Sequence, residues 1–181
     1  VAHECFGVPI PRIRSALANA TVPGRFETVI HEGAPGTVFV IDYAHNAMAL
    51  ESLLTTLRAY NPKRLVCLFG CGGDRARDRR FSMGEVSGNL ADLSVITSDN
   101  PRTEDPEAIL DEIVQGAEIG KQYLRISDRR EAIRAAVMFA QGEDIILVAG
   151  KGHETYQIIG KTKHHFDDRE QLKEAFATLK K

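Results

Sequence analysis

The chain has few cysteines, no long apolar segment and almost no excess of charge of one sign. Its 181 residues include 3 cysteines, at positions 5, 67 and 71, and this odd number without metal-ligand spacing predicts reduced thiols rather than disulfides. Lysine and arginine number 23 against 25 acidic residues, and the net charge of −2 gives no general attraction to nucleic acid or to an anionic membrane.

Two further absences narrow the possible functions. No apolar run approaches the roughly 20 residues that a membrane-spanning helix needs, and residues 1–5 lack the start of a signal peptide, so we expect a cytoplasmic protein. The phosphate-binding pattern G-x-x-x-x-G-K-[ST] is also missing. Gly-Lys at residues 150–151 has neither the required glycine spacing nor a following Ser or Thr.

The sequence contains an alternation of strand and helix patterns from residue 37 onward. At 43% hydrophobic, the chain is long enough for one domain with a well-buried core. The alternation predicts an α/β fold, a Rossmann-like, doubly wound and mainly parallel sheet flanked by helices. We expect strands at residues 37–41, 63–69, 93–98, 123–127 and 144–149, and helices at residues 46–60, 80–90, 106–118 and 128–141. The unbroken apolar runs at 63–69 and 144–149 are typical of central strands, and Cys67 is assigned to packing there.

The two ends of the chain have different patterns. Residues 9–19 predict a short helix, and residues 26–30 predict a strand joined to strand 37–41 through a hairpin-like turn at 33–36. Residues 156–166 predict a C-terminal β-hairpin, which is followed by a helix from about Asp167. The chain starts without Met in a helix-rich passage, which suggests a fragment of something longer.

The segment that says most about function contains Asp-Asn-Pro-Arg at residues 99–102. It follows the apolar run at residues 93–97, which predicts a buried strand. A turn at the carboxyl end of a parallel strand presents side chains to the ligand-binding crevice of such a sheet. Asn100 and Arg102 offer planar, multiple donors suited to a carboxylate, and Pro101 stiffens the turn. The alternative is ordinary turn chemistry, in which Asp and Asn bond back to the backbone.

Other polar motifs also fall at predicted strand ends. Asp42 and His45 follow strand 37–41 and suit ribose and phosphate contacts, or they are a turn residue and a surface histidine; Asn46 is placed to cap the next helix. Gly-Cys-Gly-Gly-Asp-Arg at residues 70–75 lacks the dinucleotide-binding spacing, and the arginine-rich run that continues to residue 80 suits either anion binding or a solvated loop.

Two motifs near the C-terminus complete the set. Gly-Lys-Gly-His-Glu at residues 150–154 offers either ligand groups or a glycine-rich connection with a capping Glu. His164 and His165 are adjacent on a predicted strand and point to opposite faces, so we assign both to the surface rather than to a metal site.

Five motifs, at residues 24–27, 42–46, 70–75, 99–102 and 150–154, occur in an order and spacing that resemble the C-terminal domain of the Mur ligases. Within that family they resemble the UDP-N-acetylmuramoyl-tripeptide synthetases that add meso-diaminopimelate, over roughly residues 20–170. The resemblance implies a ligase of peptidoglycan synthesis that uses ATP and Mg²⁺ to join meso-diaminopimelate to UDP-N-acetylmuramoyl-L-alanyl-D-glutamate. Ala47-Met48 depart from the Pro and acidic residue usual in the family, which weakens the match in one helical turn.

The resemblance also implies residue roles. Nucleotide binding falls to Arg25, Asp42 and His45. Binding of meso-diaminopimelate falls to Arg75, Asp99, Asn100, Arg102, Gly150 and Glu154. No catalytic or metal-binding residue is expected in this domain, because the phosphate loop and most ligands of ATP and Mg²⁺ belong to a central domain outside this sequence.

On this interpretation residues 1–22 are the tail of the preceding central ATPase domain, residues 23–181 are the C-terminal ligase domain, and the fragment alone is inactive. Three alternatives stay open. One is a ligase that adds lysine or another diamine, which Arg102 argues against. A second is a non-catalytic doubly wound module that binds a nucleotide or an amino acid. The third is a related domain of a folylpolyglutamate or cyanophycin synthetase, which is not expected to combine the motifs at 99–102 and 150–154.

Overall fold

A mainly parallel sheet organises the computed structural model, which describes residues 1–18, 20, 22–120 and 122–179. In this part of the chain the main sheet has six strands, β1 (Glu27–Val29), β2 (Val38–Asp42), β3 (Arg64–Phe69), β4 (Leu93–Ile96), β5 (Gln122–Arg125) and β6 (Asp144–Ala149). Their order is β1-β2-β6-β3-β4-β5; β1 runs antiparallel to β2, and all other pairs are parallel. The predicted doubly wound fold is confirmed.

Helices cover both faces of the sheet. The helices are α1 (Ala2–Phe6), α2 (Ile10–Ala18), α3 (Ala47–Arg58), α4 (Asp78–Leu90), α5 (Pro106–Ala117), α6 (Arg129–Met138) and α7 (Asp168–Leu179). Helices α3, α4 and α5 supply one apolar core, and α6 and α7 supply the other. Asn46 caps α3 through a bond from the Ala49 backbone N–H, as predicted, and this fixes the exit of the chain from β2.

The central strands bury both of their faces, which explains their unbroken apolar sequences. Along β3, Leu65 and Cys67 face the core on one side, while Val66 and Leu68 face the other. Burial raises the pKa of the Cys67 thiol to about 12, so this side chain stays a neutral packing group, as expected.

A separate antiparallel hairpin, β7 (Tyr156–Ile159) and β8 (Thr162–His165), follows β6. It pairs with the segment after β4, since the Arg102 N–H donates to the Ile158 carbonyl at 3.0 Å and the Gly160 N–H donates to the Arg102 carbonyl at 2.7 Å. The hairpin therefore supports the turn at residues 99–102, from which the sequence predicts a ligand-binding site. His164 and His165 are exposed on β8, as expected.

The N-terminal helices lie outside the two cores. Neither α1 nor α2 contains a buried residue, and the assignment of residues 1–22 to a preceding domain stays a prediction. Residue 19, at the end of the predicted helix, and residues 21, 121, 180 and 181 lie outside the described residues. Within the described part of the chain, no helix combines the length and the apolar character needed to cross a membrane.

Candidate functional site

A polar cavity of about 360 Å³ lies at the carboxyl ends of β2, β3, β4 and β6. This is the edge at which parallel α/β sheets bind their ligands. The lining includes seven of the nine residues predicted to bind substrates, namely His45, Arg75, Asp99, Asn100, Arg102, Gly150 and Glu154. The sheet topology thus brings together motifs that are separated by more than a hundred positions in the sequence.

The loop after β3 lies directly against the turn after β4. The Gly73 N–H donates to the Asn100 carbonyl at 2.9 Å, and a Cβ atom at position 73 would stand only 1.9 Å from the Pro101 carbonyl oxygen. Only glycine fits this close backbone approach. The two loops therefore form one rigid wall of the cavity.

Arg102 projects from this wall with a positive φ of 53°, a conformation stabilised by its backbone bonds to the hairpin. Its Nη1 donates to the Gly73 carbonyl at 2.7 Å, and a Cβ atom at position 72 would lie 2.7 Å from Nη1, so a larger residue there would displace the end of the Arg102 side chain. Among the described contacts, the Nε and Nη2 groups donate to no protein acceptor. Arg75 is exposed beside it, with one bond from Nη1 to the Asp74 carbonyl at 3.1 Å.

Asn100 is buried and its side-chain amide has a defined orientation. The Oδ1 atom accepts from the Ile158 N–H at 2.9 Å and from Lys151 Nζ at 3.1 Å, and Nδ2 donates to Glu154 Oε2 at 3.1 Å. The sequence predicts that this amide faces a substrate carboxylate, whereas in the structure it donates to Glu154. Direct binding of substrate by Asn100 stays a prediction.

Glu154 and Tyr43 face each other across the cavity. The Tyr43 hydroxyl lies 3.4 Å from Glu154 Oε1, and burial, together with the nearby Glu154 charge, raises the pKa of Tyr43. The hydroxyl therefore stays protonated and donates. Gly150, at a φ of 111°, bonds through its N–H to the Asp42 carbonyl at 3.1 Å and lines the same cavity.

The residues predicted to bind nucleotide surround Tyr43 at one end of the cavity. The Arg25 guanidinium lies 4.6 Å from the centre of the Tyr43 ring, and His45 Nδ1 lies 2.8 Å from the Tyr43 carbonyl oxygen. The two Asp42 carboxylate oxygens accept the backbone N–H groups of Phe26 and Ala44, each at 2.8 Å. Asp42 thus anchors the loops on either side of this region, and neither it nor Arg25 lines the cavity. Their roles in nucleotide binding stay predictions.

Part of the arginine-rich run is paired within the protein. Helix α4 begins at Asp78, two positions earlier than predicted, and it carries Arg80 into the interior, where this side chain is 1% exposed. Arg80 donates to Glu104 at 2.7 Å and to Glu112 at 2.9 Å. The Arg80 hydrogen bond is the main cause of the lowered pKa of Glu104, and a bond from the Asp74 backbone N–H lowers this pKa further. Arg80 is therefore a buried structural cation and not part of a solvated loop.

Sequence reasoning did not identify several residues of this region. Tyr43, Cys71, Arg79 and Tyr156 line the cavity, and Lys151 is buried beneath it. The available signal was position alone, since Tyr43 lies within the motif at 42–46 and Tyr156 lies two positions after the motif at 150–154. Within the described residues, no group of three or more His, Cys, Asp or Glu side chains is arranged to hold a metal ion.

The fold places this chain in the doubly wound α/β class, whose members bind ligands at the edge of the sheet where this cavity lies. A sequence model for the family described as "Mur ligase, glutamate ligase domain" matches residues 24–152. The chain belongs to this family.

Comparisons with individual proteins are consistent with that family. The chain is 50% identical over 170 residues to the UDP-N-acetylmuramoyl-L-alanyl-D-glutamate--2,6-diaminopimelate ligase of Bacillus cereus, covering 93% of this chain and 34% of the relative. A solved structure of a ligase with the same name has a TM-score of 0.81 and 37% identity, covering 99% of this chain and 37% of that one. UDP-N-acetylmuramate-alanine ligase of Thermotoga maritima, at 17% identity, shares the fold with a TM-score of 0.66, over 98% of this chain and 35% of its own. The chain thus spans about a third of the length of the curated relatives it matches.

Proposed function

We propose that this chain is one domain of an ADP-forming ligase. This domain binds the incoming amino acid and closes on the nucleotide bound by the rest of the ligase. The complete ligase would add meso-diaminopimelate to UDP-N-acetylmuramoyl-L-alanyl-D-glutamate in peptidoglycan synthesis. The observation that carries the proposal is the cavity in which Arg75 and Arg102 lie with Glu154. The names of the relatives at 50% and 37% identity support the same amino acid.

The cavity offers complementary groups to an amino-acid centre. Guanidinium groups bind a carboxylate through paired, charge-assisted hydrogen bonds, and Arg102 keeps two donor groups for this purpose. An ammonium has three donors and no acceptor, so carboxylate and carbonyl oxygens are its natural partners. In the proposal the distal carboxylate of meso-diaminopimelate binds Arg75 and Arg102. Its distal ammonium binds Glu154 and the Gly150 carbonyl, while Asp99 and Asn100 complete the subsite.

The same groups would distinguish meso-diaminopimelate from lysine. Lysine lacks the second carboxylate, so its binding would leave the guanidinium groups of Arg75 and Arg102 without an anion. An unpaired group of this kind costs about 1–3 kcal/mol, and more when it is charged. A cavity built to bind a carboxylate therefore disfavours the smaller substrate, and a lysine-adding ligase is the less favoured alternative.

We assign this domain's contacts with ATP to Arg25, Asp42 and His45. ATP would first phosphorylate the D-glutamate side-chain carboxylate, and the amine of the incoming amino acid would then attack the acyl phosphate. A C–N bond forms as the bond between the carbonyl carbon and the phosphate oxygen breaks, and the two steps together release ADP, phosphate and a proton. We assign Mg²⁺ and the phosphate-binding loop to the rest of the ligase, so this domain positions the amino acid and closes on the nucleotide.

The test compares amino acids in the complete protein that contains this chain. With ATP and the UDP-linked dipeptide, meso-diaminopimelate should be ligated with a kcat/KM about 10²-fold or more above that of lysine. The 181-residue chain alone should show no turnover. Equal or better use of lysine would overturn the assigned substrate, and ligation by the isolated chain would overturn the assignment of catalysis to other domains.

A further inference from the structure

Lys151 is a fully buried cation beneath the cavity, and it joins two of the loops that form it. Its side chain is 0% exposed. The Nζ atom donates to Asn100 Oδ1 at 3.1 Å and to the Tyr156 carbonyl at 2.8 Å, and it lies 3.0 Å from Asp99 Oδ1 as an ion pair. Lys151 lies in the connection from β6 to β7, and its ammonium group therefore links the turn after β4 to the first residue of β7.

Lys151 uses two donors in hydrogen bonds to Asn100 and Tyr156, and its ammonium forms an ion pair with Asp99 Oδ1. The side chain is fully buried and presents no surface to a ligand. Lys151 therefore cannot act as a substrate ligand in this arrangement. Its influence on the cavity has to pass through the groups that it holds.

Asn100 is the group through which that influence reaches the cavity. Because Lys151 and the Ile158 N–H both donate to Oδ1, the amide can present only Nδ2 to Glu154. Unlike the Ile158 amide, Lys151 also lies 3.9 Å from Glu154 Oε2. Both contacts fix Oε2 of Glu154, and Oε1 is left facing the cavity near the Tyr43 hydroxyl.

The charges of this cluster agree with binding of a cation. Asp99 and Glu154 are two carboxylates that share the single ammonium of Lys151, so the three side chains carry a formal charge of −1. Arg129, another buried cation, is paired with Asp168 at 2.8 Å, and its charge also interacts with Asp99 and Glu154 without a hydrogen bond to either among the described contacts. Removing Lys151 would leave two carboxylates close together without their shared cation, which favours movement of either side chain or uptake of a proton.

We propose that Lys151 is a positioning residue of the amino-acid subsite: through Asn100, it holds Glu154 in the orientation that receives the substrate ammonium. This inference rests on the proposed function. It concerns only the amino-acid side of the cavity, because no contact of Lys151 reaches Arg25, Asp42 or His45 among the described residues.

The test uses Lys151→Met in the complete protein, since methionine keeps an apolar stem and removes the charge and the donors. The matched control is Arg64→Met, which removes a cation paired with buried Asp144 at the opposite end of the sheet. Lys151→Met should raise the KM for meso-diaminopimelate by about tenfold or more, equivalent to about 1.4 kcal/mol, and leave the KM for ATP within about twofold. Arg64→Met should lower the midpoint temperature of unfolding, but it should not raise the KM for meso-diaminopimelate relative to the KM for ATP.

The outcomes distinguish this inference from the proposed function. Equal rises in both KM values, or an unchanged KM for the amino acid in folded Lys151→Met, would overturn the role of Lys151. If Lys151→Met does not fold, the test uses Lys151→Arg, which keeps the charge but displaces the donors. This variant must also raise the KM for meso-diaminopimelate while the KM for ATP stays within about twofold. If the wild-type protein does not use meso-diaminopimelate, the proposed function is wrong, and the same comparison is made with the amino acid it does use.

Discussion

Replacement of Arg102 by alanine tests how the cavity selects its amino acid. The side chain uses Nη1 to hold the Gly73 carbonyl at 2.7 Å, and its Nε and Nη2 groups donate to no protein acceptor among the described contacts. Arg102→Ala therefore removes one structural bond and one proposed pair of charge-assisted bonds. The backbone strain at a φ of 53° is unchanged, because neither residue is glycine.

The magnitude follows from the bonds that differ between substrates. A hydrogen bond to a charged group contributes about 1.5–3 kcal/mol, and part of a bidentate pair is replaced by water in the variant. A net loss of about 2.7 kcal/mol corresponds to a decrease of about 10²-fold in kcat/KM for meso-diaminopimelate. Lysine offers no carboxylate to Arg102, so its kcat/KM should change far less.

The assay measures kcat/KM for both amino acids in the complete protein at saturating ATP. Arg134→Ala is the control, because Arg134 lies on α6, is 45% exposed and pairs only with its helix neighbour Glu131 in the described contacts. Equal losses for both amino acids would show that Arg102 only supports the turn, and the proposed carboxylate contact would then be wrong.

Three further predictions address other parts of the structure. Asp42→Ala should raise the KM for ATP more than the KM for the amino acid. An unchanged KM for ATP would show that Asp42 does not bind the nucleotide. Gly73→Ala should lower the free energy of unfolding by about 1–3 kcal/mol, measured by urea denaturation, because the new methyl group would strike the Pro101 carbonyl; unchanged stability would contradict the close packing. Alkylation of the native chain at pH 8 should modify exposed Cys5 alone, since burial raises the pKa of the other two thiols to about 12, and mass spectrometry that finds all three labelled would contradict their burial.

Local patterns predicted the fold because each central element carries its own signal. The apolar runs at residues 63–69 and 144–149 correspond to the central strands β3 and β6, which are buried on both faces. Asn46 follows a strand and precedes a helical pattern, so its cap could be predicted from neighbours alone. Element ends differed by a few residues, since caps and turns compete there.

The parts of the site that escaped prediction depend on contacts between distant positions. Arg80 is buried because Glu104 and Glu112 neutralise it from 24 and 32 positions away. Lys151 and Asn100 are 51 positions apart, and no periodicity in either segment indicates their bond. The hairpin itself could be predicted, but nothing in its sequence indicates that Ile158 bonds to Asn100 and Arg102 and supports the cavity wall.

The central claim is that this cavity binds the distal end of an amino acid that carries both a carboxylate and an ammonium. A crystal structure of the complete protein with meso-diaminopimelate tests it most directly. The account predicts the distal carboxylate within hydrogen-bond distance of Arg75 and Arg102, and the distal ammonium on Glu154 and the Gly150 carbonyl. A bound molecule outside this cavity, or one whose distal carboxylate contacts neither arginine, would contradict it.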